Sequence, residues 1–293
     1  MNILITGGTG FIGERLVSAL TAKGNQVTIL TRNKKSSANR NVSFKQWDGK
    51  KLPLGMGIFD AVINLAGASI GTLPWTEANK KLILESRIDA TRACVEYINS
   101  SPNPPSVFLS ASAVGYYGSE KMDEIDERGK PGTDFPAEVC RKWEEEANKA
   151  RVRTVILRIG VVLGKGGGAM KEMLPYYKMG VGGRFASGKQ GFPWVHVDDV
   201  VGSIIFLTEK EDFAGPVNVV APHVVDQKGF SDHVSMALKK KNIFVIPKFA
   251  LQVIFGERSR LFWGGQKVIP RKLQEMQFVF HFPDLRNALK DVV

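Results

Sequence analysis

Cysteine is nearly absent from this chain. Only Cys94 and Cys140 occur in 293 residues, each inside a helical pattern, which leaves no material for a disulfide framework or a cysteine-rich metal site. Long apolar runs are missing too, since no stretch reaches the eighteen residues that a spanning helix needs. No charged leader followed by an apolar segment opens the chain, so the expected setting is soluble, cytoplasmic and free of membrane, with both cysteines as thiols. Acid is scarce relative to base: 29 Asp and Glu face 40 Lys and Arg, a net charge of +11. An excess of that size raises nucleic acid as a partner. It is not gathered in one arm, however. Residues 221–293 hold twelve bases against six acids, and the one tight run, Lys239-Lys240-Lys241, closes a helical pattern, where cations suit the dipole. No aromatic-and-basic recognition motif accompanies the charge, so nucleic acid ranks well below an anionic small molecule.

What the sequence does have, at its start, is an apolar strand at Asn2–Thr6 running into Gly7-Gly8-Thr9-Gly10-Phe11-Ile12-Gly13 and then a helical pattern, with a second strand at Gln26–Leu30. That order turns free helix N–H groups and a positive dipole end toward a pyrophosphate. Gly7 permits the tight turn, Gly10 lets the backbone approach the phosphates, and Gly13 lets the helix close on the strand, with Thr9, Phe11 and Ile12 in the same cradle. At the tip of the second strand, where an Asp or Glu usually takes the ribose 2′-hydroxyl, stand Thr31 and Arg32, with Lys34 and Lys35 behind. A carboxylate there would repel a 2′-phosphate, whereas Thr31 can hydrogen-bond it and Arg32 can pair with it in a planar fork. The expected cofactor is therefore NADP, as NADPH. A solvated basic loop would account for the lysines but not for the missing acid.

Strand patterns at Asn2–Thr6, Gln26–Leu30, Val42–Gln46, Ala61–Leu65, Val107–Ser110 and Thr154–Arg158 alternate with helical ones at 11–23, 77–99 and 135–149. Such alternation builds an α/β protein with a doubly wound parallel sheet of Rossmann type, whose ligands sit beyond the carboxyl ends of the strands. We expect a dinucleotide-binding domain over 1–220 with a substrate-loop insertion at about 165–195, then a small substrate or lid region over 221–293. Within the insertion, Gly180 to Gly191 is glycine-rich and expected to be mobile. Asp198 and Asp199 are expected to cap the helix that follows them. His196 with those aspartates lacks a third remote ligand, so no metal is expected, and the histidine either lines the substrate pocket or is hydrogen-bonded in the core.

Several further segments carry a family resemblance. Val62-Ile63-Asn64-Leu65-Ala66-Gly67, the run from Phe108 to Gly118, Phe192-Pro193-Trp194-Val195-His196-Val197-Asp198-Asp199, Trp143-Glu144, the run from Arg158 to Gly164 and the tail block Gly265-Gln266-Lys267-Val268-Ile269-Pro270 join the opening turn. Together they resemble an atypical extended short-chain dehydrogenase/reductase of the sugar-nucleotide-epimerase-like subgroup that carries its own C-terminal domain. The resemblance implies an NADP-binding Rossmann domain with Leu65, Ala66 and Gly67 running under the cofactor, Ser110 grouped with them, and Asp48 near the adenine. It also implies a dimer through helices 77–99 and 135–149.

The wider family uses a serine after the fifth strand and a Tyr-x-x-x-Lys pair on the next helix, where the lysine lowers the tyrosine pKa. Ser112 matches the serine. Aligning the helix by Glu144 puts Ala137 at the tyrosine position and Arg141 at the lysine position, and alanine cannot transfer a proton. Tyr116 and Tyr117 can stand in as the phenol, Arg141 as the fixed cation and cofactor contact, and Glu138 as a further acid or base. For both tyrosines the alternative is packing with a tethered hydroxyl. Arg158 either holds an anionic substrate group or pairs with Glu144 or Asp199. The expected function is an NADP-dependent oxidoreductase or epimerase-like enzyme acting on a small polar substrate, with an anionic group as one form it can take. The competing expectation is an NADPH-binding sensor or regulatory module without that catalysis.

Overall fold

A computed structural model describes residues 1–53, 55–119, 123–180, 182–241 and 244–293. Strands β1 (Asn2–Thr6), β2 (Gln26–Thr31), β3 (Val42–Gln46), β4 (Ala61–Asn64) and β5 (Val107–Ala113) join Arg153–Ile159 and Gly215–Val219 in a seven-stranded sheet. The order across it is Gly215–Val219, Arg153–Ile159, β5, β4, β1, β2, β3, and every adjacent pair is parallel. Helices α1 (Phe11–Ala22), α2 (Glu77–Ser100) and α3 (Phe135–Ala147) connect these strands. This is a doubly wound α/β fold of Rossmann type.

Alternation along a strand sends successive side chains to opposite faces. Ile3 and Ile5 therefore pack into the core beneath α1 and the helix Val197–Glu209, while Leu4 packs into the core beneath α2. Both faces of the central strands are covered, which is why β1, β4 and β5 read as near-continuous apolar runs, whereas the edge strand β3 carries Ser43, Lys45 and Gln46 and is only partly buried. Register lines up two rows of polar residues at the carboxyl edge. Thr6 lies beside Asn64, and Asn64 beside Ser110, in one row; Ser112 lies beside Arg158, and Arg158 beside Asn218, in the other.

A third core draws on two stretches of chain. Leu163, in the strand Val161–Gly164 that leads into the insertion, and Met170 and Tyr177 within it pack with Phe230, Val234, Leu285 and Leu289 from the tail. The insertion thus shares its core with the C-terminal segment. The glycine-rich stretch expected to be mobile is pinned there: Gly183–Phe185 pairs in parallel with Phe244–Ile246, and the Gln227 side chain accepts from the Phe185 N–H at 2.8 Å. Sequence reading missed this because the partner strand lies about sixty residues away.

The helix after His196 is capped differently from expectation. His196 itself is the N-cap, its Nδ1 accepting from the Asp198 N–H at 3.2 Å while Nε2 meets Asp291 at 3.2 Å and the ring lies 3.9 Å from that of Phe282. The histidine is a core residue. Asp199 reaches instead to the tail, accepting from the N–H groups of His281 at 2.6 Å and Phe282 at 3.0 Å. On α2 and α3, the outward faces carry the ion pairs Lys81–Glu85, Lys142–Glu138 and Arg141–Glu145. Among the described residues, no helix is long and apolar enough to cross a membrane.

Candidate cofactor cradle and adjoining polar site

The glycine turn is set by close backbone approach. Gly7 has φ +70°, and a Cβ there would lie 2.6 Å from the Leu65 carbonyl group, so only glycine lets β1 turn against the end of β4. A Cβ on Gly13 would overlap the Gly7 carbonyl oxygen. Gly10 is the N-cap of α1 and contributes no side chain, which leaves the first N–H groups of the helix for an outside acceptor. Backbone and glycines together fit a pyrophosphate. The Phe11 side chain turns away to pack on Gly164, Gly167 and Gly168, with Arg15 5.3 Å above its ring and donating to the Lys165 carbonyl at 3.1 Å.

At the other end of the cradle, Thr31 is buried at the tip of β2 and its hydroxyl accepts from the Asn33 N–H at 3.4 Å. Arg32 is exposed, and no ion pair engages its guanidinium among the described residues. No carboxylate stands at the strand tip, so the donor set suits a 2′-phosphate. Asp48 is committed to its own turn. It accepts from the N–H groups of Lys50 and Lys51 at 2.8 and 2.9 Å, and these bonds hold its carboxyl below the ordinary value.

Beneath the cradle lies a buried polar floor. Thr6 donates to Asn64 at 2.6 Å, Asn64 donates to Thr91 at 2.8 Å and to Ser110 at 3.5 Å, and the Trp143 indole donates to Thr91 at 2.8 Å. Asn64 also accepts from the Ala66 N–H at 3.3 Å, while Arg87 packs under Gly67 and donates to the Ala68 carbonyl at 2.9 Å. The segment Leu65–Gly67 is thereby held in place from below. Ser110 belongs to that floor.

Beyond β5 the second polar row forms one chain of hydrogen bonds. Ser112 donates to Glu144 at 2.7 Å, and Arg158 grips the same carboxylate through Nε and Nη2 at 2.9 and 2.8 Å. Arg158 Nη1 donates to the Tyr117 hydroxyl at 3.0 Å and to the Glu127 carbonyl at 3.2 Å, and Tyr117 donates to Asn218 at 2.6 Å. Ser112, Glu144, Arg158 and Tyr117 are all buried. Burial disfavours the guanidinium charge, yet Glu144 and Tyr117 more than offset it, and Arg158 stays protonated above its usual range. Burial pushes the Tyr117 hydroxyl up to about 12 against the pull of Arg158. Tyr117 therefore takes the tethered role rather than that of a free phenol.

Tyr116 differs. It is half-buried, its ring lies on the Arg158 guanidinium at 3.5 Å and edge-on to Tyr117 at 5.5 Å, and its hydroxyl makes no hydrogen bond among the described residues. Of the two outcomes raised for Arg158, the pair with Glu144 is the one formed. The cation against both phenols is thus Arg158, not Arg141, which the sequence offered for that role.

The face that α3 presents to Ser112 also needs correction. A Cβ on Gly115 would lie 3.2 Å from Pro136 Cβ and 3.8 Å from Cys140 Sγ, Cys140 contacts Ser112 and Ala113, and Glu144 bonds Ser112. Pro136, Cys140 and Glu144 are spaced by four residues and form one stripe. The expected pair, Ala137 and Arg141, is turned by one residue, about 100° around the helix. Arg141 accordingly points to Glu145 at 2.8 Å and Glu138 to Lys142 at 2.7 Å, the lysine holding the Glu138 carboxyl below its ordinary value. Neither reaches the phenols.

Burial pushes the Cys140 thiol up to about 11 and the Cys94 thiol to about 12. Both should resist iodoacetamide at mildly alkaline pH in the folded protein and react once it is unfolded in urea. Mass spectrometry reads the result, and rapid native labelling of Cys140 would show that the α3 stripe is open.

A parallel seven-stranded sheet, a glycine-cradled helix N-terminus and a polar row after the fifth strand define a dinucleotide-binding protein of the extended short-chain type. The chain belongs to the NAD dependent epimerase/dehydratase family, whose model matches residues 3–221; a domain of unknown function, DUF1731, matches residues 246–292. It is similar to the epimerase family protein SDR39U1 homolog, chloroplastic, of Arabidopsis thaliana, at 39% identity over 306 residues covering 100% of this chain and 87% of the relative. The mouse epimerase family protein SDR39U1 (Mus musculus) is 35% identical over 299 residues and the full length of both. Among solved structures, human epimerase family protein SDR39U1 (isoform 2), crystallised with NADPH, superimposes with a TM-score of 0.93 at 34% identity, covering 100% of this chain and 99% of that one. UDP-glucuronic acid 4-epimerase from Bacillus cereus, solved with NAD, shares the fold at 17% identity and a TM-score of 0.76 over 99% of this chain and 95% of that one.

Proposed function

We propose that this protein binds NADPH along the carboxyl edge of its sheet and acts as an NADP-dependent oxidoreductase or epimerase-like enzyme on a small polar substrate. The observation that carries the cofactor is the uncapped start of α1, closed by Gly13 onto a turn that Gly7 sets against the end of β4, combined with Thr31 and Arg32 where an acid would select NAD. The human relative crystallised with NADPH supports the same choice. Leu65–Gly67 would pass beneath the cofactor on the floor built by Asn64. When bound, the nicotinamide supplies or accepts hydride.

The chain's own part is then to hold a substrate oxygen and move a proton. Tyr116 suits this, because its hydroxyl is uncommitted and its ring is fixed over Arg158. Arg158, Glu144 and Ser112 hold the end of β5 rigid beneath it. With a substrate found by following NADPH oxidation over a panel of carbonyl compounds, Tyr116→Phe should lower kcat by about 10²–10³-fold while leaving the Kd for NADPH within about twofold. Unchanged kcat in that variant would remove Tyr116 from the chemistry.

A cofactor-binding module without turnover is the alternative, and one observation favours it. The α3 residues facing Ser112 and the Gly115 turn after it include Pro136 and a thiol held far above neutrality, neither of which exchanges protons at neutral pH. NADPH binding with no oxidation of any compound in the panel is the outcome it predicts. Either way the two buried thiols suit a reducing aqueous compartment such as the cytoplasm.

A further inference from the structure

Residues 256–264 bridge two loops at the carboxyl edge of the sheet. At the start of this stretch, Glu257 pairs with Lys80 of α2 at 2.5 Å, and Arg258 donates to the carbonyls of Gly71 at 3.1 Å and Thr72 at 2.8 Å, on the loop that continues from Gly67. At its end, Gly264 packs on Ser119, the Gly265 N–H donates to the Ser119 carbonyl at 2.9 Å, and the Gln266 side chain donates to the Gly118 carbonyl. Since β4 and β5 are neighbours, the stretch lies across the gap between residues 65–67 and the turn that carries Tyr116.

Its two ends are held with unequal strength. Gln266 is buried, and Lys267–Val268 continues from it as a strand paired in parallel with Glu124–Ile125. At the other end, the helix Lys248–Phe255 buries only Leu251 and leaves Phe249, Val253 and Ile254 exposed. A cleft of about 350 Å³ separates that helix from the turns after it. Within residues 256–264, Ser259 is the one buried side chain, and it accepts from the Trp263 indole N–H of the same stretch at 3.1 Å. Polar contacts rather than apolar burial therefore hold the stretch down, the condition under which a segment opens without the rest of the fold. Gly256, at φ +57°, and the pair Gly264 and Gly265 flank it, so the backbone can turn at both ends.

We propose that residues 256–264 form a strap over the cofactor cleft, hinged at Gly264 and Gly265 on the β5 turn and latched to the β4 loop by Glu257 and Arg258. This rests on the cofactor site proposed above: NADPH enters and leaves when the latch lets go. The latch acts on passage, not on the bound cofactor. Weakening it speeds entry and exit together, whereas losing a direct cofactor contact speeds exit alone.

The test follows NADPH binding and release by stopped-flow fluorescence on the full chain. Arg258→Gln should raise both rates about tenfold, the effect of losing charge-assisted bonds to two carbonyls, and Glu257→Gln about two- to fivefold, because its ion pair is partly exposed. Kd should stay within about threefold in each, since both rates move together. A second measurement needs no cofactor. Trypsin cleavage after Arg260, mapped by mass spectrometry, reads how often the strap opens, and it should be about two- to fivefold faster in Glu257→Gln than in the wild type. Unchanged rates in both variants, a rise in the release rate alone, or equal cleavage in Glu257→Gln and wild type each overturn the strap. A protein that does not bind NADPH, yet is cut faster at Arg260 in Glu257→Gln, keeps a strap that opens and loses the proposed function.

Discussion

Arg158→Met should cost roughly 3–5 kcal/mol in urea melts, because it leaves the Glu144 carboxylate buried with its guanidinium partner gone. The loss reaches further than one ion pair. Arg158 also donates to Tyr117 and to the Glu127 carbonyl, so the variant removes contacts that join the end of β5, α3 and the strand Arg153–Ile159. Replacing both charges, Glu144→Gln with Arg158→Met, should recover most of the loss, since no uncompensated charge then remains in the interior. The recovery separates a buried-charge penalty from a general packing defect. A single Arg158→Met variant as stable as the wild type would mean that water reaches Glu144.

Arg32→Asp should invert the cofactor preference. The substitution removes the cation available to a 2′-phosphate and puts a carboxylate where it repels that phosphate but accepts from a ribose 2′-hydroxyl. Affinity for NADPH should fall by about a hundredfold, the order expected from losing one charge-assisted contact and adding a like charge, while NADH gains. Melting temperature against cofactor concentration reads both changes at once. Because Arg32 is exposed and makes no ion pair among the described residues, stability without cofactor should stay within about 0.5 kcal/mol of the wild type. A variant that still prefers NADPH would shift the selection to Thr31 or the lysines behind it.

The cradle was legible in the sequence because its physics is local. A turn between strand and helix that brings backbone within contact distance excludes a Cβ at given positions, so Gly7 and Gly13 carry the information themselves. The central strands of the parallel sheet were legible for a similar reason, since burial on both faces demands nearly unbroken apolar runs. The missing acid after β2 was equally plain, as an electrostatic choice made by one or two residues.

The polar site was not legible to the same depth. Ser112 could be picked out, but which residues of α3 face its side of the sheet depends on a rotation that one residue changes by about 100°, and packing against the end of β5 and the turn after it selects Pro136, Cys140 and Glu144. Arg158 had several partners open to it, and only strand register beside Ser112 and Asn218 settles on Glu144 and the two tyrosines. His196, read against nearby aspartates, caps its own helix and meets Asp291 from the far end of the chain.

The sequence by itself thus determined the class of fold, the dinucleotide cradle and the choice of NADP, because each rests on neighbouring residues obeying steric or charge rules. The tertiary structure alone decided which phenol makes no side-chain hydrogen bond among the described residues and which cation lies against it. Those outcomes depend on distances between segments far apart in the chain, which no local pattern encodes.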